Sequence, residues 1–366
     1  MLRLIAFYLP QYHPIPENDQ WWGKGFTEWT NVVKGTPLFE GHYQPHLPAD
    51  LGFYDLRVPE AREQQAELAR AYGIYGFCYY HYWFNGKRLL ERPLNEVLRL
   101  GQPDFPFCVC WANEPWTRNW DGKPAEILMP QEHTNETDER FILDLLPVLR
   151  DERYIRINGR PLLLIYRTEL LPDLARTAMV WREVASKNGI ELYLCRVESF
   201  AREDPASINF DASCEFPPNI SGVMPGDASK MSFGPDGFEG NLYDYRELVD
   251  LMLHRPDAAY RRFHGVTLSW DNTARSGKRA SVFLNSSPDL FGHWLTEVTR
   301  RTMATLQGDE QVVFINAWNE WAEGCHLEPD CRYGHAYLEA CKAALGTTLD
   351  VELTPEVTGS WEAAVP

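Results

Sequence analysis

The chain has 366 residues, of which 44% are hydrophobic and 24% charged, with no low-complexity tract; this is the make-up of an ordinary folded protein and excludes a disordered or fibrous one. Its 35 basic and 52 acidic residues give a net charge of −17, which argues against nucleic acid and anionic membrane surfaces as partners, since both need basic patches. Aromatic residues are plentiful (13 Trp, 17 Tyr, 18 Phe), and many stand beside polar groups, a pairing suited to ligands with apolar faces and polar rims, such as sugars, although most must simply fill a core.

The first element is a strand over 2–9. Its single basic residue, short apolar run and following Pro10 do not make a cleavable leader, so it reads as the start of a mature, cytoplasmic protein. Further apolar runs rich in β-branched and aromatic residues fall at 74–84, 105–111, 161–167, 190–197, 211–216, 264–270 and 311–318. Amphipathic helical patterns lie between them at 56–72, 89–100, 137–150, 173–188, 244–256, 289–307 and 334–345; the segment 198–210 has room for a short helix at most. Pro59 in the first turn and Gly73 as a stop bound the first helix, and Gly189 ends the fourth. No run reaches the length of a membrane span. The eight cysteines are scattered singly and read as reduced, mostly buried thiols.

Eight strand–helix alternations with nearly continuous apolar strands predict an α/β fold, a (β/α)8 TIM barrel. A doubly wound open sheet is the alternative, weakened because no G-x-G-x-x-G follows the first strand. No linker divides the chain, so residues 1–346 read as one catalytic domain and 347–366 as a C-terminal tail. The longest insertions, 10–55, 112–136 and 217–243, all follow strand C-termini, where barrel active sites are built.

Candidate site residues cluster at those strand ends. The first strand runs into Tyr8, Gln11, Tyr12 and His13; the second carries Tyr79, Tyr80, His81, Tyr82 and Trp83. The third leads into "WANEPWTRNWDG", with Trp111, Asn113, Glu114, Trp116, Arg118, Trp120 and Asp121. Tyr166 and Arg167 end the fourth strand, Glu198 lies near the end of the fifth, and Trp270 and Asp271 close the seventh. Glu28, Trp29 and His46 in the first long loop, and Asn319 and Trp321 after the last strand, complete a predicted substrate-binding set of Tyr8, Glu28, Trp29, His46, Tyr80, His81, Trp111, Asn113, Glu114, Trp116, Tyr166, Trp270, Asp271, Asn319 and Trp321.

The last strand opens "QVVFINAWNEWAEGCHLEPD". Alternation places Val312, Phe314, Asn316, Trp318 and Glu320 on one face and the aliphatic Val313, Ile315 and Ala317 on the other. Glu320 and Glu323 can share a pocket only if the chain turns at or just after Glu320, and Gly324 supports such a turn. Two neighbouring carboxyl groups are the minimal equipment for glycosidic bond chemistry, one protonated to assist the leaving group and one ionised as base or nucleophile. Mutual repulsion and burial beside indoles push one of the two upward.

The motifs "FYLPQYHPIPENDQWWGKGFTEWTNV", "GHYQPHLPADLGFYDLR", "WANEPWTRNWDG", "WDNT" and "NAWNEWAEGCHLEPD" resemble the WbsX family of bacterial polysaccharide-locus proteins, which are glycoside hydrolase family ninety-nine-like. The resemblance extends from residue 3 to about 345 and implies a (β/α)8 barrel acting on carbohydrate. The related endo-α-mannosidases carry "NEWHEG" where this chain has "NEWAEG", so the resemblance assigns their catalytic glutamates to Glu320 and Glu323, with Ala322 in place of a histidine. It implies that Glu320 deprotonates the sugar 2-hydroxyl to form a 1,2-anhydro sugar, and that Glu323 acts as general acid and then base.

The expected function is therefore a retaining glycoside hydrolase acting on α-linked glycan of bacterial surface-polysaccharide type. A glycosyltransferase of O-antigen, capsular or lipopolysaccharide biosynthesis is the alternative, although the chain contains no D-x-D. A non-catalytic glycan-binding protein is the third reading. An oligosaccharide or polysaccharide partner is expected, with no cofactor. No metal is expected either: His42 and His46 have H-x-x-x-H spacing, but Pro45 prevents the helix that would align them, and His326, Glu328 and Asp330 read as a local turn network. Lys24 lies in "GKG" without a phosphate-cradle motif.

Overall fold

A computed structural model describes residues 1–118, 123–200, 202–219, 222–226, 231–234 and 237–352. Eight parallel strands close on themselves: β1 (Arg3–Tyr8), β2 (Ile74–Phe84), β3 (Phe107–Trp111), β4 (Arg160–Ile165), β5 (Tyr193–Glu198), β6 (Ala212–Glu215), β7 (Arg262–Thr267) and β8 (Val312–Asn316). Each pairs with its neighbour in sequence, and β1 joins both β2, through Ala6 beside Phe77, and β8, through Ala6 beside Ile315. That closure excludes the open doubly wound sheet and makes the fold a TIM barrel.

Seven helices pack outside: α1 (Pro59–Ala71), α2 (Arg92–Leu100), α3 (Asn135–Leu149), α4 (Leu174–Lys187), α5 (Tyr245–His254), α6 (Pro288–Thr305) and α7 (Ala336–Glu352). Their starts follow local chemistry. Proline occupies the first turn of α1, α2 and α6, and the side chains of Thr134, Asp173 and Ser287 accept from backbone N–H groups of α3, α4 and α6. Helix α1 stops before Gly73, whose φ of 81° is left-handed. Helix α7 continues to Glu352, so the first six residues assigned to a tail are helical; residues 353–366 lie outside the described ones. Among the described residues, no helix is long and apolar enough to cross a membrane.

Between β5 and β6 stands only a short turn of helix, Pro205–Ile208. The outward faces of β5 and β6 are accordingly polar there: buried Glu198 and Glu215 both bind the Arg255 guanidinium, at 3.0 and 2.9 Å, in place of an apolar helix contact.

Strand alternation sorts the side chains. On β2, Phe77 and Tyr79 meet Tyr8, and His81 meets Phe141 of α3, so these face the helices; Tyr80 stacks on Phe7 inside the barrel. Phe7 also contacts Phe216 and Phe314, with ring centres at 5.0 and 5.6 Å. This aromatic cluster floors the barrel mouth. Above it the loop after β1 carries the helices Pro16–Trp22 and Glu28–Val32, and the loop after β3 carries the strands Trp116–Arg118 and Lys123–Met129. The loops after β6 and β7 are joined by parallel pairing of Asn241–Asp244 with Ser281–Leu284.

Candidate active site

The ladder of β8 ends at Asn316, level with Thr267 of β7. Beyond it the pleat no longer governs direction. Trp318, which alternation places on the same face as Phe314, instead meets Phe77 at 5.0 Å on the helix-facing side of β2. Asn319–Glu320 then pairs antiparallel with Cys325–His326, enclosing one helical turn, Trp321–Glu323, and Gly324 at φ 60°. A side chain at Gly324 would be strained by that φ and would meet the Asp271 Cβ at 3.1 Å, so the reversal needs glycine. The Asp271 N–H donates to the Glu323 carbonyl at 2.7 Å, tying the turn to the loop after β7.

The turn brings Glu320 and Glu323 to one cavity of about 360 Å³ at the barrel mouth. Arg275, from the short helix Thr273–Ser276, bridges them: Nη2 donates to Glu320 Oε2 at 3.1 Å and Nη1 to Glu323 Oε1. Its Nε donates to Oε1 of Glu28 at 2.7 Å, and Gln11 Nε2 donates to the other oxygen of Glu28 at 2.7 Å. Glu28 is wholly buried, so three carboxyl groups gather on one guanidinium. Burial lowers the Arg275 pKa, but Glu28, Glu323 and Glu320 outweigh it and hold the group firmly charged.

Burial and then the neighbouring Glu323 push Glu320 up to about 8, with Arg275 opposing. Glu323 is raised by burial, lowered by Arg275 and raised again by Glu28. With all three carboxyls ionised the cluster would carry two uncompensated negative charges in a dry site; keeping one proton halves that charge. A pair retaining one proton can supply both an acid and a base.

The walls bring together part of the predicted set. Tyr80, Glu114, Trp116, Tyr166 and Trp270 line the cavity with the two glutamates. Burial, then nearby carboxylates, raises the hydroxyls of Tyr80, Tyr82 and Tyr166, so all three stay protonated donors. Glu114 pairs with Arg167 at the rim.

The other predicted ligands are elsewhere. Tyr8 faces α1 and donates to Gln65 at 2.7 Å. His81 faces Phe141, and Trp111 stacks on Phe141 at 4.1 Å, both in the layer between barrel and α3. Trp29 packs beneath the site on Tyr12 and Trp321, and the Trp321 indole donates to Glu328 at 2.7 Å. Asn113 exchanges hydrogen bonds with the backbone of Arg167, both at 2.8 Å, and Asn319 does the same with Leu9. Glu28 is joined to the glutamates by hydrogen bonds through Arg275. His46 and Asp271 border a separate cavity of about 400 Å³, which shares Trp270 with the first. There Asp271 accepts from His42 Nε2 at 2.7 Å and from Gln44 at 2.8 Å. Trp120 and Asp121 lie outside the described residues.

Sequence reasoning did not find Arg275, Asn18, Trp22 or Phe216, all of which line the cavity, and it named Tyr82, which also lines it, at a strand end without placing it in the binding set. Arg275 stands five residues after Trp270 in "SWDNTARSGKR", and Asn18 and Trp22 lie inside "PENDQWWGKG", so motif membership was the available signal.

A family model described as "Glycosyltransferase WbsX" matches residues 4–341. The chain belongs to the WbsX family. Two curated relatives, each described as "Uncharacterized protein WxcX" and from two strains of Xanthomonas campestris pv. campestris, are 48% identical over 349 residues. The alignment covers 95% of this WbsX-family chain but 50% of those proteins, so the chain spans about half the length of the curated relatives it matches. Among solved structures, a "Glycoside hydrolase-like protein" superposes with a TM-score of 0.58 at 14% identity, covering 94% of this chain and 93% of that one. A GH99 endo-α-mannosidase from Bacteroides thetaiotaomicron gives a TM-score of 0.57 at 14% identity, covering 96% and 99%. At that identity the likeness is one of fold.

Proposed function

We propose that this WbsX-family protein is a carbohydrate-active enzyme, a retaining glycoside hydrolase cutting α-linked glycan of bacterial surface-polysaccharide type. The observation that carries the reading is the gathering of Glu320 and Glu323 on one guanidinium at an aromatic-walled cavity, with both carboxyl groups held above their ordinary range. Such a pair has the acid and the base that glycosidic cleavage requires.

In the proposed sequence Glu320 takes the proton of the sugar 2-hydroxyl, whose oxygen bonds to the anomeric carbon as the bond to the leaving oxygen breaks. Glu323 gives its proton to that oxygen. Glu323 then takes a proton from water, which opens the three-membered ring at the anomeric carbon, and Glu320 returns its proton to the 2-oxygen. In the free site burial raises both carboxyl groups, Glu320 up to about 8. A bound glycan favours the proton on Glu323: the 2-hydroxyl donates to Glu320 and stabilises the carboxylate, whereas the leaving oxygen accepts from Glu323 and stabilises the acid. Tyr80, Tyr82, Tyr166 and the Asn18 amide offer hydrogen bonds to the sugar, and Trp116 and Trp270 offer faces.

The test is turnover of isolated bacterial polysaccharides and activated α-glycosides, with the anomer of the product followed by NMR. Release of sugar with retained configuration, lost in Glu320→Gln and in Glu323→Gln, supports the proposal; full activity in both variants sinks it. The family's description favours a second reading, a glycosyltransferase of polysaccharide assembly. Saturable nucleotide-sugar binding by calorimetry, without hydrolysis, would select it. Glycan binding without turnover under either assay would leave a binding protein.

A further inference from the structure

His42 and His46, which the sequence spacing pairs, part company in the fold: His42 turns to Asp271, and His46 turns to His326 on the loop after β8. We propose that His46, His326 and Asp330 form a binding site for one divalent cation of the zinc type, joining the long loop after β1 to the hairpin that carries Glu320 and Glu323.

One ligand atom from each of the three residues lies within 4.8 Å of the others. All three side chains are buried, with exposures of 8%, 5% and 4%. The His326 Nδ1 lies 3.0 Å from the Glu328 carbonyl oxygen, which can only accept; Nδ1 therefore carries the proton and Nε2 presents a lone pair. That lone pair is 2.9 Å from His46 Nδ1 and 3.9 Å from Asp330 Oδ2. Asp330 is fixed as well: its Oδ1 accepts from the backbone N–H groups of Arg332 and Tyr333, which leaves Oδ2 toward the histidines.

Two imidazoles and a carboxylate, one imidazole oriented by a backbone carbonyl, are a ligand set for zinc. The Tyr43 hydroxyl lies beside the same carboxylate, but the 3.9 Å between Asp330 Oδ2 and His326 Nε2 is too long for a hydrogen bond and is a gap that a cation would bridge. Two nitrogens at about 2.0–2.1 Å from zinc in a tetrahedron stand roughly 3.4 Å apart, so binding opens the imidazole pair by about half an ångström. The cation takes the Nδ1 lone pair of His46 as that ring moves its proton to Nε2. The cavity of about 400 Å³ borders all three residues and provides an entry path and room for water at the fourth position. Aromatic rings enclose the rest: Tyr43 stacks on His46 at 4.2 Å and Trp321 on His326 at 3.7 Å.

His326 is the backbone partner of Asn319 in the hairpin, so a cation here braces the turn that sets the glutamates. Metal uptake and stability at this site do not depend on the reaction proposed for Glu320 and Glu323.

The experiment strips the full chain with a chelator, titrates it with Zn²⁺ by calorimetry, and records the visible spectrum with Co²⁺. One equivalent of zinc, four-coordinate cobalt bands and a higher melting temperature with saturating zinc are expected. His46→Ala and Asp330→Asn should each weaken binding at least 100-fold, while His335→Ala, which removes the exposed pair with Asp50, should not. Absence of stoichiometric uptake by the wild-type protein, or undiminished uptake by both ligand variants, overturns the site. Should the variants fail to fold, the wild-type cobalt spectrum decides alone, because a cation bound at scattered surface groups gives no four-coordinate bands.

Discussion

The side-chain amide of Asn319 grips the backbone of Leu9 at two points, accepting from its N–H at 2.7 Å and donating to its carbonyl at 3.0 Å. These bonds fasten the Glu320–Gly324 turn to the end of β1, across 310 residues of chain. Both residues are buried, so Asn319→Ala leaves a donor and an acceptor unpaired where water cannot replace the amide. Two orphaned groups cost about 2–6 kcal/mol. Urea unfolding should show a lower midpoint with an unchanged slope. Asn319→Asp should fare no better, because it sets an oxygen against the Leu9 carbonyl. A wild-type midpoint in both variants would mean that the turn is held by other contacts.

Arg275 controls the charge of the site. Replacing it by methionine removes the influence that lowers Glu320 and Glu323 and leaves the wholly buried Glu28 facing two other carboxyls. The titration midpoints of the pair should rise further, and kcat/KM should fall about 100-fold or more, since an unbalanced pair cannot divide into acid and base. Arg275→Lys should recover little, because an ammonium gathers its donors on one nitrogen and cannot span the three carboxyl groups that Nε, Nη1 and Nη2 of the planar guanidinium reach separately. The acidic limb of the pH–rate profile is the readout; a profile that moves to lower pH in Arg275→Met contradicts the electrostatic account.

Glu320 also gives stability a pH dependence of known sign. Its folded pKa, about 8, lies above that of an unfolded glutamate, so the native state holds more protons between the two values. Stability is therefore highest below the unfolded pKa, falls as pH rises, and levels off above about 8. Glu320→Gln cannot ionise and escapes that loss. Its melting temperature should draw ahead of wild type as the pH is raised from 5 to 8.5, with the gap constant thereafter. A gap that narrows over this range would show that burial does not hold the carboxyl protonated.

How much of this site was legible in the sequence depends on what fixes each residue. The strands were legible because each is an apolar run covered on both faces, and Tyr80, Trp116, Tyr166 and Trp270 were found because they end or follow such runs. Parity was not legible. Tyr80 faces the cavity and His81, its neighbour, faces Phe141, yet a continuous apolar strand carries no polar–apolar alternation to say which is inward. Asn113 and Asn319, expected to meet sugar, hold backbone instead in this structure, and a loop asparagine has the same composition signature in either role. Arg275 meets Glu28 across 247 residues through two irregular loops, a contact that no period encodes. The turn between Glu320 and Gly324 was readable, because only a glycine accepts its left-handed φ without strain.

Asn18 is buried at the cavity wall, and among the described residues neither its amide oxygen nor its nitrogen has a hydrogen-bond partner. An unpaired amide costs about 1–3 kcal/mol, which a sugar hydroxyl able both to donate and to accept would offset on binding. Asn18→Ala should therefore leave thermal stability unchanged or raised while increasing KM about tenfold, with a smaller effect on kcat. A destabilised variant with wild-type KM would place the amide in the architecture of the loop instead.

The roles within the glutamate pair can be separated by the leaving group. If Glu323 is the acid, its proton matters only when the departing oxygen is a poor leaving group. Glu323→Gln should then lose most of its activity on oligosaccharide while keeping much of the first step on a glycosyl fluoride, whose leaving group needs little protonation. Glu320→Gln should lose both substrates alike, since the 2-hydroxyl still needs a base whatever departs. Burial and Glu323 raise Glu320 up to about 8, so the opposite assignment has its own outcome: were Glu320 the acid in the complex, Glu320→Gln would be the variant rescued by fluoride. Parallel rates of the two variants on the two substrates distinguish these cases, and a rescue of Glu320→Gln alone would exchange the acid and the base.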